Sequence, residues 1–256
     1  MIYIIAGTSD ARELAITLRD AEHGIIASVV TDNAAISLRE ANIDTVVGRL
    51  TAEEMAVFIE KRRIQMIVDA SHPFAEEASK NAVEASRLSQ VPYIRYEREE
   101  YQGHTGQIMN VSSYKEAALL AKDKKGTVML TTGSKTLQIF TEHLLNVNGI
   151  RLIARMLPRK DNMEKCEELG VEQKNIVAIQ GPFSKELNIA LFKQYNVTLM
   201  ITKESGKVGS VDEKVEAAKE LNIPIVMISR PKIDYGIVCR SYEDVLEMIN
   251  QKVEVL

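Results

Sequence analysis

The sequence predicts an α/β fold of two similar Rossmann-like domains, each a parallel sheet with helices on both faces, facing a central cleft. Three observations predict it. Short apolar runs alternate with amphipathic stretches along the whole chain, as in sheets built from βαβ units. The chain has 256 residues, long for one domain and suited to two of about 125 each. The alternation also restarts midway with copies of earlier residues. Val91-Pro92 recurs 132 positions on as Ile223-Pro224, Val83-Glu84-Ala85 as Val215-Glu216-Ala217, and Arg98 as Arg230. Ser113-Tyr114 returns as Ser241-Tyr242 after 128 positions, so a four-residue length change separates the copies.

The first half starts with an apolar strand at 2–6, which turns at Gly7 into a helix opened by Asp10-Ala-Arg-Glu13, a capping-box pattern. A second strand covers 25–30, with Thr31-Asp32 as its loop, and a weaker third covers 45–47. Thr51-Ala-Glu-Glu54 caps a helix to about Lys61. Residues 64–68 are a buried strand, and 76–88 a helix for which Pro73 suits the first position. A strand at 91–96 completes five. The polar stretch 97–107, with Gly103 and Gly106, is the linker, which divides the chain into domains at 1–100 and 107–256. The helix over 113–122 is compatible with either domain.

In the second half, strands are expected at 127–131, 150–155, 176–179, 197–201 and 223–228, again five. Helices follow Thr132-Gly133-Ser134, Asn162, Gly181-Pro182-Phe183, Ser210 and Ser241.

Composition narrows the function classes. With 45% hydrophobic and 27% charged residues, the chain is globular with an ample core. A net charge of −4 without a basic block argues against nucleic acid. Cys166 and Cys239 have neither metal nor redox spacing, and reduced cytoplasmic thiols are expected. The four histidines show no metal spacing, so no metal is expected. The predicted first strand begins at residue 2, so no signal peptide is expected. No apolar run reaches the ~20 residues a membrane span needs.

Candidate site residues sit where strands end and helices begin, the edge at which open α/β sheets bind ligands. Gly7-Thr8 is one such turn, although it lacks the dinucleotide spacing G-x-G-x-x-G. Arg12 opposes the dipole of its helix, so it is either a solvated surface arginine or a contact for a ligand carboxylate. Ser71 and His72 lie in the loop Asp69-Ala-Ser-His-Pro-Phe-Ala75; His72 is either a packed surface residue or a donor to substrate. Thr132, Gly133 and Ser134 repeat the strand-to-helix turn and suit a phosphate. Lys203, Ser205 and Lys207 lie in a Gly-containing loop that is the counterpart of the Asp69 loop. Arg49, Lys135 and Arg230 add positive charge at the same edges.

Taken together, Gly7-Thr-Ser-Asp-Ala-Arg-Glu-Leu14, Gly48-Arg-Leu50, Asp69-Ala-Ser-His-Pro-Phe-Ala75, Thr132-Gly133, Gly181-Pro-Phe183, Thr202-Lys-Glu-Ser-Gly206 and Arg230-Pro231 resemble the precorrin-6A reductase family of cobalamin biosynthesis. The motifs keep their order over nearly the whole chain. The resemblance implies a two-domain enzyme that transfers a hydride from NADPH or NADH to a macrocycle double bond of precorrin-6A or cobalt-precorrin-6A. Such a ring is flat and fringed with carboxylates, so Arg12, Arg49, Ser71, His72, Lys203, Ser205 and Arg230 are expected to bind it, with His72 and Lys203 as candidate catalytic groups. The cofactor is expected on Gly7, Thr8, Thr132, Gly133 and Ser134. Asp32 after the second strand favours NADH on the first domain. Arg155, Arg159 and Lys160 after the matching strand favour a 2′-phosphate on the second, and incline the reading to NADPH there. The competing class is a non-catalytic two-domain binding or sensor protein.

Overall fold

A computed structural model describes residues 1–99, 106–204, 206 and 211–253. The chain forms two compact units, each with a six-stranded sheet in which every pairing is parallel. Unit 1 comprises Met1–Glu99 and Pro231–Leu256, and unit 2 comprises Glu100–Arg230.

Unit 1 contains β1 (Ile2–Ile5), α1 (Ser9–Asp20), β2 (Ile25–Val29), α2 (Asp32–Glu40), β3 (Asp44–Val47), α3 (Ala52–Lys61), β4 (Met66–Asp69), α4 (Glu76–Ser89) and β5 (Tyr93–Tyr96). β1, β2 and β4 are buried at every residue, because helices cover both faces; this is why they read as unbroken apolar runs. Ile4, Leu14, Leu18, Ala27 and Val68 form the core on the α1 and α2 face. Tyr3, Ile5, Met55, Ile59 and Ile67 form it on the α3 and α4 face.

Unit 2 runs β6 (Ile108–Val111), α5 (Tyr114–Lys124), β7 (Gly126–Leu130), α6 (Leu137–Leu144), β8 (Ile150–Met156), α7 (Lys160–Glu168), β9 (Ile176–Ala178), α8 (Lys185–Gln194), β10 (Leu199–Lys203), α9 (Val211–Glu220) and β11 (Ile225–Ile228). Met129, Ile153, Phe192, Met200, Val215 and Met227 fill the core beneath α8 and α9. The chain then returns to unit 1 with β12 (Val238–Cys239) and α10 (Tyr242–Val253).

The sheet orders are β12-β5-β4-β1-β2-β3 and β6-β11-β10-β7-β8-β9. Each sheet therefore has six strands rather than the expected five. The sixth of each, β12 or β6, lies beside the fifth strand of the series, β5 or β11. The domain boundary expected at 107–256 is corrected at its far end. β12 adds to β5, and Val245 and Ile249 of α10 enter the unit 1 core, so the last segment belongs with the first. The helix that was compatible with either domain, α5, joins unit 2.

Three local expectations also change. α1 is capped by Thr8, whose Oγ1 accepts the Ala11 N–H at 3.3 Å, so Asp10 is inside the first turn and not the cap. Thr31 caps a helix, α2, where only a loop was expected. Pro73 is not the first residue of α4; it occupies a turn closed by the Ala75 N–H donating to the His72 carbonyl at 2.7 Å, a position its fixed φ suits.

The return of α10 yields a prediction. Ile249→Ala should destabilise the protein by about 2–5 kcal/mol, the usual cost of truncating a buried aliphatic side chain. Hydrogen exchange should quicken in β1 and β5 and stay unchanged in β10 and β11. Equal quickening in β10 would place the helix in the wrong unit.

Candidate active site

In unit 1, β1 and β4 are neighbours, with Ile5 opposite Asp69. The turn after β1 and the loop after β4 therefore share the carboxyl edge of the sheet, joined by the Ala70 N–H donating to the Ile5 carbonyl at 3.0 Å. Gly7 adopts φ +134°, and an added Cβ would meet no atom within 4 Å, so the backbone is open there. Arg12 spans α1 and α2: its Nε donates to the Ser37 carbonyl at 3.2 Å and its Nη1 meets Glu13 at 2.9 Å. Arg49 is exposed. Its turn is held by Asn81 of α4, which donates to the Leu50 carbonyl at 3.0 Å. Gly48-Arg49-Leu50 thus stands beside the helix that the His72 loop introduces.

His72 is half-buried, and its Nδ1 accepts the Phe74 N–H at 3.1 Å. In the neutral ring this leaves Nε2 as the protonated nitrogen. Ser71 is buried in a polar network that sequence reasoning missed. The Asp69 Oδ1 accepts from the Ser71 N–H at 3.0 Å and pairs with Arg95 Nη1 at 3.0 Å. The Asp69 Oδ2 accepts from the Tyr93 hydroxyl at 2.9 Å, and Arg95 also donates to the Ser71 Oγ at 3.2 Å. Arg95 and Asp69 are both fully buried, with the Arg95 guanidinium 4.9 Å from the Tyr235 ring centroid. Burial and then the Asp69 charge push the Tyr93 hydroxyl far up, which keeps it a donor. The available signal was Arg95 itself, a lone cation within the buried run Tyr93–Tyr96.

In unit 2, β7 and β10 are neighbours, so Thr132-Gly133-Ser134 and Lys203 share one sheet edge. Thr132 is buried and its hydroxyl has no hydrogen-bond partner among the described residues. Gly133 has φ +77° with open space around it. Ser134 is engaged, its hydroxyl donating to Asn162 Oδ1 at 2.5 Å. Lys203 is half-buried with Nζ 5.5 Å from the Tyr114 ring centroid. Burial, reinforced by the charge of Lys135, lowers its ammonium to about 8. The Arg230 side chain is largely buried and ion-paired with Glu204, which also accepts the Gly206 N–H at 2.8 Å. Ser205 and Lys207 lie outside the described residues.

The expected basic cluster separates. Arg159 is exposed and held by Asp161 at 2.9 Å, and Lys160 meets Glu164 at 3.5 Å. Arg155 is 7% exposed, with its guanidinium 4.6 Å from the Phe183 ring centroid and Nη1 donating to Asn188 Oδ1 at 2.7 Å. No carboxylate pairs with it among the described residues, and burial lowers it to about 10. Asn188 is fully buried and donates to the Ser184 carbonyl at 2.8 Å, so its oxygen is aimed at Arg155 by the first turn of α8. Asp32, the competing acidic group, is exposed in the first turn of α2.

Among the described residues, no group of three or more His, Cys, Asp or Glu side chains could hold a metal ion. Among them, too, no helix is long and apolar enough to cross a membrane.

Comparison with known proteins agrees with the motifs. The family model described as precorrin-6x reductase CbiJ/CobK matches residues 1–250. A cobalt-precorrin-6A reductase of Priestia megaterium is 59% identical over 98% of this chain and 99% of the relative. One from Methanocaldococcus jannaschii is 37% identical over 97% and 96%. A precorrin-6A reductase of Rhodococcus erythropolis is 27% identical over 91% and 90%. The solved structure of a CobK precorrin-6A reductase superposes with a TM-score of 0.80 over 98% of this chain and 96% of that one, at 21% identity, and bears on the fold alone. A family match over residues 1–250, with a relative at 59% identity, disfavours the non-catalytic reading: the chain belongs to the precorrin-6x reductase family.

Proposed function

We propose that this chain reduces cobalt-precorrin-6A to its dihydro form in cobalamin biosynthesis, with NADPH as the hydride donor. The cobalt-bearing ring is favoured because relatives named for it include ones 59% and 37% identical, against 27% and 28% for two named for the metal-free ring. The observation that carries the cofactor assignment is Arg155, a buried cation with a hydrogen bond and a stacked ring but no anionic partner among the described residues. Burying an uncompensated charge is costly, and a phosphate is the anion its remaining donors suit. The unpartnered Thr132 hydroxyl and the open backbone at Gly133 fit the same polyanion. Arg155 would hold the 2′-phosphate and Thr132-Gly133 the pyrophosphate; the bound nicotinamide supplies the hydride.

On this reading the protein's own task is orientation and proton supply. Arg12 and Arg49 at the unit 1 edge meet carboxylates of the ring. His72 presents its Nε2 proton from the loop after β4. Saturating a double bond takes one hydride at one atom and one proton at the other. Lys203 supplies the proton: its ammonium, at about 8, is mostly charged at neutral pH yet releases a proton more readily than an ordinary lysine near 10.4. Arg230 and Glu204 hold the segment that carries it.

Mixing the purified protein with cobalt-precorrin-6A and NADPH tests the whole reading. NADPH absorbance should fall in step with the change in the tetrapyrrole spectrum, faster than with metal-free precorrin-6A; no oxidation with either ring would reject it. Arg155→Met should weaken NADPH, titrated by its fluorescence, by about 10- to 150-fold, the worth of one charge-assisted contact. NADH should change far less, and equal losses would return Arg155 to a purely structural role. For Lys203 the sign is that of a required ammonium: kcat should fall as pH rises through about 8. Lys203→Arg, which stays protonated, should lower kcat by about 10²–10⁴ and leave NADPH binding intact. A kcat that rises across that range would remove Lys203 as the donor.

A further inference from the structure

The two sheets can be laid over one another strand by strand. In unit 1 the Ile67 N–H donates to the Pro92 carbonyl at 2.8 Å; in unit 2 the Met200 N–H donates to the Pro224 carbonyl at 3.0 Å. From those anchors Asp69 faces Arg95 across β4 and β5, and Thr202 faces Met227 across β10 and β11. Tyr93 likewise takes the place of Ile225. The same sheet position is thus filled in two ways within one chain. Unit 2 uses Thr202, Ile225 and Met227, all fully buried. Unit 1 uses a buried acid, a buried base and a tyrosine; among the described residues the Arg95 Nε, like the Thr202 hydroxyl of unit 2, has no hydrogen-bond partner.

Unit 2 shows that this sheet position does not need the ions, since its own buried pair, Glu204 and Arg230, lies past the strand ends. Buried ion pairs usually give no more stability than apolar residues of similar size, so stability is a poor account of this one. What the pair does have is a grip on the loop above it. Asp69 takes the Ser71 N–H, and Arg95 takes the Ser71 Oγ. Ser71 Oγ lies 3.4 Å from the Ser79 Oγ of α4. The next residue is His72, which then closes the turn through Phe74 and Ala75. Arg95 is fully buried and cannot touch a ligand.

We propose that Asp69 and Arg95 are positioning residues that fix the Ser71-His72-Pro73-Phe74 loop for the reduction. The inference rests on the reading that this loop meets the ring. The test gives unit 1 the residues of unit 2, as Asp69→Thr, Tyr93→Ile and Arg95→Met together. The melting temperature should be unchanged or raised. Exchange of the Phe74 and Ala75 amides should quicken while the β4 amides stay protected. kcat should fall on the order of 100-fold, the loss expected for a misplacement of about 1 Å, with KM for NADPH unchanged. Retained protection of Phe74 and Ala75 would overturn the proposal whatever the rate. Quickened exchange with undiminished kcat would overturn it in another way, by showing that the pair sets the loop but that the loop takes no part in the chemistry. If the triple variant does not fold, Arg95→Lys carries the same readouts, since it keeps the charge and loses the planar fork whose Nη1 holds Asp69 and Ser71 while Nη2 reaches Glu97.

Discussion

The pairing of Val238 and Cys239 with Arg95 and Tyr96 is the contact on which the rest of unit 1 depends. Before it forms, β5 is an edge strand with one row of unpaired backbone groups. Once it forms, the segment leading into β12 sets Tyr235 over the Arg95 guanidinium, and α10 follows onto the core. The Tyr242 hydroxyl then donates to the Asp10 carbonyl at 2.9 Å, at the start of α1. Asp10 in turn pairs with the buried Arg98 at 3.1 Å, where the chain leaves β5. One two-residue strand thus ties together the turn after β1, the exit from β5 and the buried pair beneath the His72 loop.

The same contact explains how the sequence repeat relates to the units. Each repeat contributes five strands and their helices to one sheet, and its trailing strand and helix to the other. β6 and α5 follow β5 in the chain but complete unit 2; β12 and α10 follow β11 but complete unit 1. The 132-position offset of Pro92 and Pro224 was legible because both lead into largely buried strands, each next to the edge of its sheet. The exchange was not, because a repeat in sequence does not state which copy its last strand joins. Val238–Cys239 also carries no pattern of its own, being two residues long.

The strand ends that carry the candidate site were legible for similar reasons. Gly7, His72, Gly133 and Lys203 lie at carboxyl ends of strands, and apolar runs mark those ends well. The fates of the arginines were hidden, because charge is visible in sequence and a spatial partner is not. Arg159 reads like Arg155, yet one lies in water against Asp161 and the other lies in the core on Phe183. Strand alternation decides this: Arg155 follows Ile153 on the face covered by α8, whereas Arg159 is past the strand and precedes α7.

The insertion of the unit 2 sequence between the two segments of unit 1 has a consequence for synthesis on the ribosome. Residues 1–99 emerge first, but the strand that covers β5 is made only after Glu100–Arg230. At roughly 5–20 residues per second, that interval is on the order of ten seconds. Throughout it, β5 offers a bare edge to any neighbouring nascent chain. A cation set into an otherwise apolar edge strand is a known deterrent to such pairing. Arg95, buried in the finished protein, is a charge on that strand until β12 pairs with it.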